Sequence, residues 1–276
     1  MKQRPSFPVQ LDLAGKRARI APGQGAATRS TSRTQAHPGA GTIVKAASPG
    51  NSSHPAPQAA LESHAVRRNM VQKLARQGLS DPKVMAALAT VERHRFVDSA
   101  LRGQAYEDTS LPIGLGQTIS KPGVVARMLE LLRNGCPAKL GRVLEVGTGC
   151  GYQVAVLSLL ADEVYSIERL RGLHDKAREN LRHLRLPNVH LLFGDGMAGF
   201  AKGAPYAGII AAAGGDAVPQ AWTDQLAVGG RLVAPVSIAG GGSRQQTLLV
   251  IDKTVHGLHQ TVFEAVHFVP LKSGVA

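Results

Sequence analysis

The segment VLEVGTGCGY at residues 143–152 joins a short apolar strand pattern to three alternating glycines and the start of a helical pattern. Gly147, Gly149 and Gly151 permit a tight turn after a strand and a close approach of backbone N–H groups to a ligand at the helix N-terminus. The G-x-G-x-G spacing differs from the G-x-G-x-x-G spacing of dinucleotide-binding loops. The segment therefore predicts a cofactor-binding turn, although a glycine-rich turn without a ligand has the same local pattern.

The acid within this strand narrows the choice of cofactor. Glu145 lies two residues before the first of these glycines. A carboxylate there repels the pyrophosphate of a dinucleotide but attracts the ammonium and sulfonium groups of S-adenosylmethionine. The sequence thus favours S-adenosylmethionine over NAD, and a hydride-transferring dehydrogenase is the weaker alternative.

Two later strand patterns also end in acids. Glu168 closes the pattern at 163–168, about twenty residues beyond the glycines, where a carboxylate binds ribose hydroxyls. The pattern at 189–193 leads into a Gly-Asp-Gly turn whose Asp195 is placed to accept a hydrogen bond from an adenine amino group. A helix-capping role for Glu168 and a simple turn role for Asp195 remain alternatives. Because parallel strands end at one ligand-binding edge, the recurrence of acids predicts a single site there.

Strand and helix patterns alternate from Val143 onward, which predicts an α/β fold with a doubly wound, mostly parallel sheet. Helical patterns and a turn-rich connection at 106–120 precede it. We expect residues 61–122 to supply N-terminal helices and a substrate loop, and residues 123–276 to supply the cofactor-binding sheet. The last two strand patterns have no helix between them and should close the sheet as an antiparallel pair after a mobile glycine loop. The strand patterns after the Gly-Asp-Gly turn are 206–212, 231–236, 247–251 and 263–269, and the glycine loop is 240–242.

The positive charge is concentrated near the N-terminus. The chain of 276 residues carries +13, and residues 1–60 hold eight basic side chains against one acid. This segment is rich in small and polar residues and poor in large apolar ones, which predicts a disordered basic leader before a catalytic domain at 61–276. A basic leader can bind nucleic acid or a membrane surface nonspecifically. The charge argues only weakly for nucleic acid as the substrate of the catalytic domain.

Composition also limits the compartment and the cofactors. No stretch approaches the roughly twenty apolar residues of a membrane span, and the N-terminus lacks the apolar core of a signal peptide. We therefore expect a cytoplasmic protein with no membrane partner, with an organelle transit segment as the alternative. Cys136 and Cys150 provide neither a disulfide framework nor a metal-ligand spacing. The ten histidines form no H-x-H or H-E-x-x-H motif, so we predict no metal.

Four segments resemble the protein-L-isoaspartate O-methyltransferases, which repair isoaspartyl residues in damaged proteins. The similarity covers about residues 66 to 271, and its first and last segments are much more specific than the two general methyltransferase motifs between them. It implies a Rossmann-like fold that uses S-adenosylmethionine. The segments are LPIG at 111–114 with GQTIS at 116–120, LEVGTGCGY at 144–152, GDG at 194–196 and EAVHFVPL at 264–271.

The resemblance implies methyl transfer from S-adenosylmethionine to the free carboxylate of an isoaspartyl residue, followed by cyclisation of the ester to a succinimide. It implies a cytoplasmic monomer whose partners are isoaspartyl proteins and peptides. By the same resemblance Ser120 is the catalytic residue and orients the acceptor carboxylate, although Ser120 also stands where a helix N-cap is expected. The substrate-binding residues it implies are Thr118, Ile119 and Ser120. The cofactor-binding residues are Glu145, Gly147, Thr148, Gly149, Gly151, Glu168, Asp195 and Gly196.

The chain departs from the family pattern at two positions, and two alternative functions stay open. Ala207 stands where the family has Asp, and Gly123 stands where an aromatic residue is frequent. A methyltransferase acting on nucleic acid is one alternative, but residues 212–215 read AAGG instead of the Asn/Asp-Pro-Pro-Tyr that such enzymes carry. A non-catalytic adaptor that binds nucleic acid through the leader is the other. It should have lost the donor site, whereas the acids and glycines are all present.

Overall fold

The computed structural model describes residues 57–240 and 243–276. The helices in these ranges are α1 (Pro57–Arg76), α2 (Pro82–Thr90), α3 (Pro122–Arg133), α4 (Tyr152–Leu160), α5 (Arg171–Leu181) and α6 (Gln220–Gln225). The strands are β1 (Leu111–Gly114), β2 (Gln117–Ile119), β3 (Leu140–Val146), β4 (Ala161–Glu168), β5 (Val189–Phe193), β6 (Tyr206–Ala211), β7 (Leu226–Gly240), β8 (Ser243–Thr254) and β9 (Gly257–Val266). Across the described ranges, no helix is long and apolar enough to cross a membrane.

Seven strands form one sheet in the order β5-β4-β3-β6-β7-β8-β9, and β1 and β2 pair separately as an antiparallel hairpin. The strands from β5 to β7 run parallel, whereas β8 and β9 are antiparallel to their neighbours. The strand order reverses between β3 and β6, which makes their carboxyl ends the topological switch point. The predicted doubly wound α/β fold is confirmed.

The central strands are buried on both faces of the sheet. Val143 packs with the core formed by α1 to α4, and the next residue, Leu144, packs on the opposite face with Trp222 of α6. Alternate residues of β3 therefore enter two different cores, which explains why the strand is continuously apolar. Helix α4 lies within the first core, and Leu159 is its one residue that is not buried.

The β1–β2 hairpin projects over the carboxyl edge of the sheet. Its tip consists of Gly114, Leu115 and Gly116, which have φ values of 99°, 52° and 70°. Glycine adopts this left-handed conformation without a steric penalty, so the two glycines permit the sharp reversal. Lys176 of α5 donates a hydrogen bond of 2.9 Å from Nζ to the carbonyl oxygen of Ile113. The hairpin is thereby attached to the sheet domain.

The predicted antiparallel closing pair is confirmed as β8 and β9, but with different bounds. Both β7 and β8 extend beyond the predicted segments at 231–236 and 247–251, because their antiparallel pairing continues to Gly240 and Ser243. Strand β9 ends at Val266 instead of residue 269. The following residues leave the sheet and pair with the turn after β6, where Gly214 donates to the carbonyl oxygen of Val269 at 2.9 Å and accepts from Leu271 at 2.8 Å.

The two segments predicted to be disordered or mobile fall mostly outside the described residues. Helix α1 begins at Pro57, so its first four residues fall within the predicted leader, and residues 1–56 lie outside the described residues. Gly240 ends β7, and residues 241–242 lie outside.

Candidate active site

A cavity of about 440 Å³ opens at the carboxyl edge of the sheet, beneath the β1–β2 hairpin. Its walls come from the hairpin and the segment that follows it, the glycine turn after β3, the end of β4, the turn after β6 and residues 269–272. This is the crevice beyond the switch point, where open α/β sheets bind ligands. Within the described ranges, no group of three or more His, Cys, Asp or Glu side chains could hold a metal ion.

The glycine turn forms one wall and requires glycine for two reasons. Gly149 and Gly151 have φ values of 56° and 92°, a conformation that other residues adopt only with strain. A Cβ at Gly151 would also lie 3.0 Å from Cδ1 of Leu181 in α5. The turn thus brings the N-terminus of α4 next to the cavity, which Tyr152 and Gln153 line.

Glu168 at the end of β4 lines the cavity with its carboxylate held by the backbone. Its Oε2 accepts a hydrogen bond from the N–H of Gly149 at 2.9 Å, and its Oε1 accepts one from the N–H of Leu170 at 2.9 Å. The side chain is 5% exposed. A fixed carboxylate that faces the cavity can accept hydrogen bonds from a ligand's hydroxyl groups without rearrangement.

Glu145 lies one layer beneath the cavity and does not line it. The Ser166 hydroxyl donates to its Oε2, and Ser166 Oγ lies 2.6 Å from Thr148 Oγ1, which does belong to a cavity-lining residue. Burial raises the pKa of Glu145 to about 8. Its other oxygen, Oε1, is buried without a hydrogen-bond partner among the described residues. Its hydrogen-bonded connection to the cavity runs through Ser166 to Thr148.

Asp195 and Gly196 follow β5, and only Gly196 lines the cavity. The Asp195 side chain lies in a neighbouring depression and accepts hydrogen bonds from the N–H of Met197 at 2.8 Å and of Gly274 at 2.6 Å. The bond from Met197 is the turn contact that was the alternative role of Asp195 in the sequence. The bond from Gly274 ties the C-terminal segment to the end of β5.

Thr118 and Ile119 of β2 and the following residue, Ser120, line the same cavity. The N-cap of α3 is Lys121, which makes no side-chain capping hydrogen bond. In the part of the chain that the structure describes, the Ser120 hydroxyl makes no hydrogen bond, so it does not act as a helix cap. That hydroxyl is left available to a ligand.

Asp108 provides the first-turn contact of α3, a role that no sequence pattern indicated. Its Oδ1 accepts a hydrogen bond of 2.7 Å from the N–H of Gly123. A Cβ at Gly123 would lie 3.0 Å from the same oxygen, so the missing side chain makes room for Asp108. The departure at Gly123 thus accompanies a contact that fixes the segment following Ser120. Asp108 belongs to the turn-rich connection in which function was expected, but its partner is fifteen residues away.

Two further side chains that line the cavity are protonated at neutral pH. Burial raises the pKa of the Cys150 thiol to about 11 and that of the Tyr152 hydroxyl to about 12. Neither group can therefore act as a base near pH 7. The cavity suits chemistry that requires positioning more than proton abstraction.

Comparison with known proteins identifies the family. The model of the Protein-L-isoaspartate(D-aspartate) O-methyltransferase (PCMT) family matches residues 65–276. The chain belongs to this family. The methyltransferase is 59% identical over 216 residues to the protein-L-isoaspartate O-methyltransferase of Methylibium petroleiphilum, a match that covers 78% of this chain and 80% of the relative. It is 58% identical over 218 residues to that of Leptothrix cholodnii, covering 78% and 76%.

Solved structures agree with the fold of this isoaspartate methyltransferase. A protein-L-isoaspartate O-methyltransferase that is 29% identical superposes with a TM-score of 0.67, covering 76% of this chain and 67% of that chain. A Plasmodium falciparum beta-aspartate methyltransferase, solved with S-adenosyl-L-homocysteine, is 24% identical and has a TM-score of 0.65, covering 75% and 98%. The family resemblance predicted from four sequence segments is confirmed.

Proposed function

We propose that this enzyme transfers the methyl group of S-adenosylmethionine to the free carboxylate of L-isoaspartyl residues in damaged proteins and peptides, with Ser120 at the acceptor and Glu168 at the donor. One observation carries the assignment: a single cavity is lined by both residues and by the glycine turn. A donor and an acceptor held in one cavity can meet in line, as direct methyl transfer requires.

S-adenosylmethionine is the methyl donor, and we assign its ribose to Glu168. Two backbone N–H groups hold this carboxylate and leave lone pairs for the ribose hydroxyls. The assignment of the adenine to Asp195 is compatible with the bonds from Met197 and Gly274, because each carboxylate oxygen accepts more than one hydrogen bond. Gly196 would then border the adenine. The glycine-turn positions that we assign to the donor are Gly147, Thr148, Gly149 and Gly151.

Glu145 acts on the donor indirectly in this proposal. Its link through Ser166 orients the Thr148 hydroxyl, which belongs to a residue that lines the cavity. With a pKa of about 8 this carboxyl is mostly protonated near pH 7, so the negative potential that favours a cationic donor over a pyrophosphate-containing cofactor develops only as the group ionises.

The acceptor needs little chemical activation. An isoaspartyl carboxylate, with a pKa of about 4, is already ionised at neutral pH. The carboxylate oxygen attacks the sulfonium methyl group, the carbon–sulfur bond breaks, and S-adenosylhomocysteine and a methyl ester result, with no proton transferred. Cys150 and Tyr152, which are protonated at neutral pH and cannot act as bases there, are compatible with this reaction. The enzyme contributes position and the exclusion of water, which together are worth several kcal/mol.

We assign orientation of the acceptor carboxylate to the Ser120 hydroxyl, with Thr118 and Ile119 shaping the pocket around it. The released ester cyclises to a succinimide, whose hydrolysis returns some normal aspartate. The nucleic-acid methyltransferase and the adaptor are not favoured, because membership of this family assigns both an acceptor class and a catalytic activity.

The test is transfer of labelled methyl to a matched pair of peptides, one isoaspartyl and one aspartyl. We expect only the isoaspartyl peptide to gain a base-labile ester, and Ser120→Ala to lower kcat/KM by about ten- to a hundredfold. Ser99→Ala, which alters an exposed serine, is the control and should match the parent enzyme. Equal labelling of both peptides would refute the acceptor assignment, and full activity of Ser120→Ala would refute the role of Ser120.

We also propose that residues 1–60 are a basic leader, that residues 61–122 carry the substrate segment and that residues 123–276 carry the donor-binding sheet. In this proposal the enzyme acts as a cytoplasmic monomer on isoaspartyl proteins in general, without a specific nucleic-acid or membrane partner. Deleting residues 1–56, which end before α1, should leave kcat/KM unchanged. A large loss of activity in that truncated protein would contradict the domain assignment.

A further inference from the structure

Arg93 is a fully buried arginine that forms no ion pair with any described residue. It lies on the short 3-10 turn after α2 and has no exposed surface. Among the described residues, no carboxylate lies within 4.0 Å of its guanidinium. Its hydrogen bonds go to main-chain oxygens: Nε donates to Ala105 at 2.7 Å and Nη2 donates to Ser120 at 2.8 Å. Burying an unpaired cation is costly, and a neutral amide could donate to a carbonyl at lower cost.

A second buried arginine shows the ordinary alternative. Arg133 at the end of α3 is 3% exposed and forms an ion pair of 2.9 Å with the Asp81 carboxylate. It also donates to main-chain carbonyls, of which Ala138 lies at 3.1 Å. The two arginines are therefore similar in burial and in backbone contacts but differ in charge compensation. Arg133 serves the fold as a neutral pair, whereas the guanidinium of Arg93 is not ion-paired and the Asp108 carboxylate acts on it only from beyond 4.0 Å.

The charge on Arg93 lies directly behind the acceptor side of the cavity. Ser120, whose carbonyl oxygen accepts a hydrogen bond from Arg93, lines the cavity. The guanidinium carbon of Arg93 lies 4.9 Å from the ring centroid of Tyr152, which also lines the cavity. Nη1 of Arg93 and the hydroxyl oxygen of Tyr152 are buried, and neither makes a hydrogen bond of normal geometry among the described residues, although the two groups interact with each other. The guanidinium thus fixes the Ser120 peptide by a hydrogen bond, and its positive charge is not neutralised by an ion pair with any described residue.

We propose that Arg93 is a positioning residue for the methyl acceptor: its guanidinium fixes the Ser120 peptide and supplies the positive charge that compensates the bound carboxylate. This inference rests on the proposed function. Methyl transfer brings a carboxylate and a sulfonium together and leaves two neutral products. A nearby cation therefore favours the bound carboxylate more than the transition state, in which the negative charge is already reduced. Loss of the Arg93 charge should therefore appear as a higher KM for the peptide.

The experiment compares Arg93→Gln and Arg93→Lys with the parent enzyme, using an isoaspartyl peptide and calorimetric titration with S-adenosylhomocysteine. Rates are expressed per site that binds S-adenosylhomocysteine, so that incompletely folded protein does not count. We expect Arg93→Gln to raise KM for the peptide about ten- to a hundredfold, the range for loss of a charge-assisted contact, with a smaller rise for Arg93→Lys. The affinity for S-adenosylhomocysteine should change by less than about threefold.

Arg133→Lys is the matched control. It alters a buried arginine that is ion-paired, and it should keep the parent's KM for the peptide, whatever its effect on stability. A second measurement uses Arg93→Ala, in which millimolar guanidinium should restore part of the activity while equal urea, which is uncharged, should not. Guanidinium should not restore Ser120→Ala.

The proposal is overturned if Arg93→Gln keeps the parent's KM, if S-adenosylhomocysteine binding is lost together with activity in Arg93→Lys, or if urea restores Arg93→Ala as well as guanidinium does. These outcomes differ from failure of the proposed function, because in that case the parent enzyme itself would not label the isoaspartyl peptide.

Discussion

The buried carboxyl group of Glu145 makes the stability of the protein depend on pH. Burial raises its pKa to about 8 from an ordinary value of 4.5. Between these values the folded protein holds a proton that the unfolded chain has released, so the free energy of unfolding falls as the pH rises. The contribution is fully present below 4.5 and lost as the pH passes the folded value. Its slope is about 1.4 kcal/mol per pH unit, or about 3 kcal/mol between roughly pH 5.5 and roughly pH 7.5.

We expect Glu145→Gln to remove this dependence. Glutamine keeps an oxygen that can accept from the Ser166 hydroxyl but has no proton to release in this range. The free energy of unfolding of the variant and of the parent is measured with urea at roughly pH 5.5 and roughly pH 7.5. The difference, variant minus parent, should be about 3 kcal/mol more positive at the higher pH. Glu107→Gln alters an exposed glutamate and is the control, whose difference from the parent should stay constant.

Parallel pH profiles of Glu145→Gln and the parent would refute the reasoning. They would mean that the carboxyl is ionised in the folded protein throughout this range. The description of Glu145 as a neutral group beneath the glycine turn would then be wrong.

Three further predictions concern the cavity. Cys150, whose raised pKa keeps the thiol protonated, should resist iodoacetamide at neutral pH in the folded protein, whereas the partly exposed Cys136 should react; mass spectrometry of the digested protein checks this, and equal labelling of both would contradict it. Glu168→Gln should weaken S-adenosylhomocysteine binding about tenfold or more in calorimetry, because it replaces an anionic acceptor; unchanged affinity would exclude the ribose contact. Gly151→Ala should lower the free energy of unfolding by about 1–3 kcal/mol in urea denaturation, because of its φ of 92° and the contact with Leu181; stability equal to the parent's would show that the turn can relax.

Local patterns in the sequence were sufficient for the fold and the cofactor class. The apolar strand at 143–146 and the glycines after it specify a strand–turn–helix unit, because backbone sterics act between neighbouring residues. Alternation of such units implies a doubly wound sheet, and right-handed crossovers leave few other topologies. The ends of β7 to β9 were less well predicted, because their limits depend on pairing between strands and not on any one segment.

The candidate site was predicted in part. Ser120 and Glu168 line one cavity as the sequence suggested, because the carboxyl ends of parallel strands meet at one edge. Glu145 belongs to the same motif, yet its side chain enters the core beneath the turn. Strand periodicity gives the alternation of faces, but it does not tell which face is covered by helices.

The class of fold, the donor-binding turn and the family follow from the order of residues alone. Three contacts became visible only in the folded chain: Asp195 binds the backbone of Gly274, Asp108 contacts the first turn of α3, and Arg93 lies behind Ser120. The physical reason is that these contacts join residues far apart in the chain, whose side chains meet only after the core has packed. Charge and hydrogen-bonding capacity can be seen in the sequence, but burial and partners arise from packing.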